Sequence, residues 1–213
     1  MASRKDLGLA LIIGAAVGLL SQAILANFAR EVHEIIPVPY GVVQAGIFFG
    51  FLVLAPVALS VAGWIGKRIP VVYQLAKFAA VGSLNSFVDL GVFNLETLML
   101  GGVPGVALFS IFKGVSFLAA TTNSYFWNKH WTFGAAGQAN AGEVVKFYAV
   151  AIAGGIVNVG VATAVKAAAD AAGFSENFWG NIASPIAGIF AALVWNFLGY
   201  KFFVFKNTTA PAS

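Results

Sequence analysis

The chain has 213 residues, of which 60% are hydrophobic and 9% charged, whereas ordinary soluble domains carry about 25% charge. A water-soluble fold is excluded, because it could not hide that much apolar surface. The net charge of +4 is small, its bases lie at the ends of apolar runs rather than in a stripe, and there are no cysteines, so nucleic acid is not an expected partner and disulfides, thiol catalysis and cysteine metal sites are excluded.

Six apolar runs predict an all-α integral membrane protein with about six transmembrane helices, each satisfying its own backbone within the bilayer. The first run, Leu7 to Phe28, follows Arg4 and Lys5 and resembles a secretory signal. It is longer than a usual signal core and lacks a small-x-small cleavage site, so it is read as a retained helix. The second run is Val42 to Ile65, and with the first it makes residues 1–70 a two-helix extension. The remaining runs are Phe78 to Leu100, Val106 to Trp127, Phe147 to Val165 and Phe178 to Tyr200. They define a four-helix domain over 71–206, followed by a tail over 207–213. Pro56 and Pro185 fall inside predicted spans, where each is expected to kink its helix.

Lys and Arg set the expected orientation. A cytoplasmic N-terminus puts Arg4, Lys5, Lys67, Arg68, Lys77, Lys129, Lys146, Lys201 and Lys206 on one side, with Arg30 and Lys166 opposite. Both termini are therefore expected in the cytoplasm, with the chain spanning the cytoplasmic (inner) membrane of a prokaryote. Trp127, Trp131, Tyr200 and Phe202 cluster at the same interface, where amphipathic rings favour the headgroup level.

Three charges lie inside spans: Asp89, Glu96 and Lys113. Each costs about 2.5–3.5 kcal/mol at a helix centre, so they should face the bundle and be paired. Asn85, Asp89 and Glu96 follow i, i+4, i+11 spacing and share one face. Lys113 lies about 10 Å below the outer start of its helix, level with the turn between Asp89 and Glu96, so a pair with either acid is open. Such a pair is either a structural clamp or a substrate contact, in which Lys113 attracts a phosphate and Asp89 binds sugar hydroxyls or a proton. Snorkelling of Glu96 and Lys113 to the surface is the third reading.

Lys113, Ser116, Ser124 and Asn128 form a polar stripe along the fourth helix, a route for a headgroup or else interhelical glue. Asn128, Lys129, His130 and Lys201 offer donors at the inner interface, suited either to a phosphate or to anchoring. Gly154 and Gly155 near Asn158, together with Asn181, Ser184, Gly188, Ala192 and Gly199, make small-residue faces for close helix packing or for a homodimer.

The last four spans repeat. Trp127-Asn128-Lys129-His130-Trp131-Thr132-Phe133 matches Gly199-Tyr200-Lys201-Phe202-Phe203-Val204-Phe205 in its Lys-x-x-x-Phe ending. Upstream, Lys77-Phe78 and Lys146-Phe147 open the preceding helices, followed by Gly82-x-x-Asn85 and Gly155-x-x-Asn158. Two helical hairpins in tandem result, each with an even number of spans and so in parallel orientation.

On these residues the segment from about Gln74 to Phe205 resembles the GtrA-like family. Lys77, Phe78, Gly82, Asn85, Asp89, Asn128, Lys129, Trp131, Thr132 and Phe133 carry the resemblance. Asn158, Asn196, Lys201 and Phe205 fit it in the second hairpin, which has Gly199-Tyr200 where an Asn is expected. The resemblance implies translocation of polyprenyl-phosphate-linked sugars for cell-surface polysaccharides, or assistance to a membrane glycosyltransferase that uses them, with membrane lipid as the surrounding partner.

Enzyme chemistry has little to stand on. His33 and His130 lie in loops on opposite sides, and no metal cluster, phosphate-cradling Gly-Lys-Ser/Thr loop or nucleophile elbow is present in the sequence. The expectation is a protein without catalytic residues, metal or cofactor, whose transport is facilitated or gradient-coupled. A nonenzymatic scaffold for a glycosyltransferase is the alternative, and an enzyme acting on the same lipids the third.

Overall fold

A computed structural model describes residues 2–101, 106–135, 140–174, 179 and 183–205, and every element in it is helical. Asn181, Phe178 and Lys206, named above, lie outside the described residues. Five helices are long and apolar enough to cross a membrane. The fourth predicted span, not among those five, is a 22-residue helix carrying Lys113, Val106–Trp127, and at 1.5 Å per residue it too is long enough. The chain is a multi-pass membrane protein, and it divides into two compact units, one ending at Thr132 and one beginning at Phe133.

The first unit contains α1 (Arg4–Asn27), α2 (Ala29–Ile35), α3 (Tyr40–Ile65), α4 (Pro70–Leu100), α5 (Val106–Trp127) and a π-helical turn, π1 (Asn128–Thr132). Ser3 caps α1, its side chain accepting from the Asp6 amide, and Pro70 occupies the first turn of α4, where its missing N–H is harmless. That start makes α4 eight residues longer than the apolar run alone suggested. Gly101, with φ +82°, ends α4 in the left-handed conformation that glycine tolerates.

The two N-terminal spans share a core with the first hairpin. Ala10, Ile13 and Val17 of α1 pack with Leu59 of α3, Val81 and Leu84 of α4, and Trp131. Two polar contacts fix α1 along α4 in the same direction. Lys77 Nζ lies 2.7 Å from Asp6 Oδ1 at one end, and Asn27 Nδ2 donates to Asn94 Oδ1 at 2.8 Å at the other.

Close approach of α1 and α3 depends on glycine. A Cβ on Gly14 would meet the Phe51 carbonyl oxygen at 2.5 Å, whereas one on Gly46 meets nothing within 4 Å. Gly14→Leu is therefore expected to destabilise the protein by about 1–3 kcal/mol, read as a lower thermal midpoint in detergent. Gly46→Leu should leave that midpoint unchanged.

The second unit contains α6 (Ala141–Ala171), α7 (Ser184–Gly199) and a second π turn, π2 (Tyr200–Val204). Pro185 was expected to kink a span; it lies in the first turn of α7, where a missing N–H is tolerated. Phe147 stacks on Tyr200 with ring centroids 4.1 Å apart, and Phe133 stacks on Phe205 at 5.3 Å.

The repeat is visible in each unit taken by itself. Both hairpins end in a five-residue π turn with Lys at its second position, Lys129 or Lys201, and a buried Phe directly after it, Phe133 or Phe205. Phe78 and Phe147, which follow the opening lysines, are both buried.

Candidate functional site

The intramembrane charges meet across α4 and α5. Lys113 Nζ donates to both carboxylate oxygens of Asp89 at 2.9 Å, and Ser116 Oγ donates to Asp89 Oδ1 at 2.5 Å. Of the two acids open to Lys113, the structure selects Asp89. Glu96 lies two turns further along, and its Oε2 is buried with no hydrogen-bond partner among the described residues. Lys113 also lies over the Phe93 ring, 5.4 Å from its centroid.

Helical spacing explains the convergence. Asn85 and Asp89 are one turn apart on α4, and Lys113, Ser116 and Asn123 share a face of α5 at i, i+3, i+10. Asn123 Nδ2 donates to Asn85 Oδ1 at 2.7 Å, so two polar layers cross the hairpin. Asn123 was missed because the sequence stripe was followed through Ser124 to Asn128. Those two bond to each other instead, with Asn128 Nδ2 donating to the Ser124 carbonyl at 2.9 Å.

Asn128 and Lys129 are both buried in π1, and the Lys129 ammonium lies 5.8 Å from the Tyr125 ring centroid. Asn128 Oδ1 is buried without a partner among the described residues. His130 points outward and stacks on Phe126.

In the second unit, Lys201 lies over the rings of Phe197 and Phe202. Asn158 and Asn196 face glycines of the opposing helix. A Cβ on Gly188 would lie 2.5 Å from the Asn158 backbone oxygen, and one on Gly154 would collide with the Asn196 side chain. The small-residue faces of this unit thus pack α6 against α7.

A further cluster went unseen in the sequence. Asp6 Oδ1 takes Lys77 Nζ at 2.7 Å and Trp131 Nε1 at 2.8 Å. Its Oδ2 takes Ser3 Oγ at 2.8 Å and Tyr73 Oη at 2.9 Å. The local signal was the Ser3-x-x-Asp6 capping spacing, but the other partners lie 67 to 125 residues away. Lys77 and Trp131 are the residues that carried the family resemblance at the two ends of the first hairpin.

Among the described residues, no group of three or more His, Asp or Glu side chains is placed to hold a metal ion. The chain is 35% identical over 118 residues to the uncharacterized membrane protein YngA of Bacillus subtilis (strain 168), covering 50% of this chain and 75% of that protein. No solved structure matches it. The family model described as "GtrA/DPMS, transmembrane domain" matches residues 77–205, both hairpins from the opening Lys77 to the closing Phe205. With that match extending over more than half its length, this chain belongs to the GtrA/DPMS transmembrane-domain family.

Proposed function

We propose that this protein translocates polyprenyl-phosphate-linked monosaccharides across the cytoplasmic membrane for cell-surface polysaccharide synthesis, without catalysing a reaction on them. The observation that carries this reading is the Asp89–Lys113–Ser116 layer. The side chains of the ion pair are 30% and 38% exposed, among outward-facing Leu90, Ile111 and Val115. A charged pair left partly open within an apolar helix surface is costly in lipid, and a polar headgroup crossing the bilayer would match it. In that role Lys113 attracts the phosphate and Asp89 accepts from sugar hydroxyls, while the prenyl chain stays in hydrocarbon. The excess of Lys and Arg expected on the side of the N-terminus favours placing that side, and both termini, in the cytoplasm.

The test is reconstitution in liposomes with a fluorescent short-chain polyprenyl-phosphoryl hexose in one leaflet. The expected result is headgroup exposure to an impermeant reagent faster than in empty vesicles. Equal rates would leave the alternative, a nonenzymatic scaffold for a polyprenyl-phosphate glycosyltransferase.

A further inference from the structure

The Asp6 cluster is built like an anion site with a carboxylate already in it. Three donors converge from one helix and a π turn: Tyr73 and Lys77 on α4, and Trp131 in π1. The fourth, Ser3, travels with Asp6 on the same helical turn. The ion pair is 14% exposed on Asp6 and 15% on Lys77, so little of it faces solvent.

The surroundings are more basic than one carboxylate balances. Lys5 and His130 line a cleft of about 290 Å³ that shares Trp131 with the cluster. Lys67 lines a second cleft, about 150 Å³, that shares Tyr73. Within one turn of Lys77 along α4, Ala76 and Ala80 open onto an apolar groove of about 320 Å³, walled by Ile13, Val17, Leu54 and Leu59. Basic clefts beside the donors, and an apolar groove leading away from them, match a phosphate on an isoprenoid chain.

We propose that Tyr73, Lys77 and Trp131 bind the phosphate of a prenyl-phosphate lipid, and that Asp6 is a built-in competitor that holds this site shut until the lipid displaces it. This deepens the proposed function and rests on it for the identity of the lipid. The carrier lipid freed of its sugar is a phosphate monoester, with more negative charge than a carboxylate and three acceptor oxygens, so it satisfies all three donors at once, whereas the sugar-linked diester offers two. Asp6 can leave together with its turn because it sits in the first turn of α1, where helices fray. Its release frees the turn that Ser3 caps, while the Asn27–Asn94 contact keeps the far end of α1 in place.

The test titrates the purified full-length chain in detergent with farnesyl monophosphate, farnesol and inorganic phosphate. A site open about a tenth of the time binds about tenfold more weakly than one held open. Asp6→Asn is therefore expected to bind farnesyl monophosphate at least about tenfold more tightly than the natural chain, with Asp6→Asn/Lys77→Gln losing that gain and farnesol indifferent to either change. Equal or weaker binding by Asp6→Asn, or a gain that survives loss of Lys77, overturns the proposal.

A second measurement needs no variant. Saturating farnesyl monophosphate should speed amide hydrogen exchange at Leu7, Gly8, Leu9 and Ala10 of the natural chain, and farnesol should not. Unchanged or slower exchange there also overturns the latch. If the latch fails while headgroups still cross liposomes, the transport reading stands without it. If Asp6→Asn gains affinity for inorganic phosphate but none for farnesyl monophosphate, the lipid assignment of this site falls, and the liposome assay alone decides the transport reading.

Discussion

Replacing Lys113 with methionine is expected to slow headgroup translocation in liposomes by about 10- to 100-fold. Hydrogen bonds to charged groups contribute about 1.5–3 kcal/mol, and each 1.4 kcal/mol is a factor of ten. The single variant also strands Asp89, whose remaining described partner is Ser116, so a fall in rate could come from damaged packing. Asp89→Asn/Lys113→Met separates the two causes. Neutralising both members of an ion pair in an apolar setting is often harmless to folding, whereas removing one partner is not. A substrate path predicts that the double variant is recovered in native yield and still fails to translocate. A clamp predicts that yield and rate return together, and that result would remove the Asp89–Lys113 layer from the mechanism.

The parts of this layer that sequence could supply are those set by helical arithmetic. Apolar runs of about 20 residues mark spans because the bilayer admits little else. Depth counted at 1.5 Å per residue brought Lys113 level with α4's acids. It did not separate Asp89 from Glu96, since the two differ by about two turns and a lysine side chain reaches across much of that. The Asn85–Asn123 contact was hidden for a related reason. Asn123 and Ser124 are adjacent on α5, and small rotations decide which one faces α4.

Loop composition announced the ends of the hairpins, yet not their conformation. Lys129 to Phe133 and Lys201 to Phe205 were legible as a repeated motif, but the π turns were not. The wider turn adds a residue to the hydrogen-bonded ring, and no single side chain in the motif demands it. The Phe205 amide reaching the Tyr200 carbonyl at 2.8 Å is such a five-residue closure. π turns recur at functional positions, and here each one follows a motif-bearing span.

Asp6 shows the opposite failure. An acid in the first turn of a helix is accounted for locally, by the cap and the helix dipole, and so gave no reason to look further. Its long-range partners are set by α1 lying along α4, which depends on Gly14 meeting Phe51 and Gly91 meeting Leu20. Glycines in apolar runs register in a sequence only as small residues. The extension that lay outside the family match therefore reaches into the family motif itself, at Lys77 and Trp131.

That contact has a measurable size. Lys77→Met keeps the aliphatic stem but leaves the Asp6 carboxylate with hydrogen bonds and no counter-charge. Removing one partner of a buried pair costs about 3–5 kcal/mol, and with Asp6 and Lys77 14% and 15% exposed the effect should fall near that range. The expected readout is a clearly lowered thermal midpoint and earlier unfolding in sodium dodecyl sulfate. Asp6→Asn/Lys77→Met should recover most of the loss, because the Asn oxygen still accepts from Trp131 and its amide N–H donates to the Tyr73 hydroxyl oxygen, while no charge is left unpaired. Asp6→Leu/Lys77→Met should not, since it orphans those two groups. Additive losses in the Asp6→Asn/Lys77→Met cycle would mean the two groups act independently, and the attachment of α1 to the first hairpin would then rest on apolar packing and the Asn27–Asn94 contact.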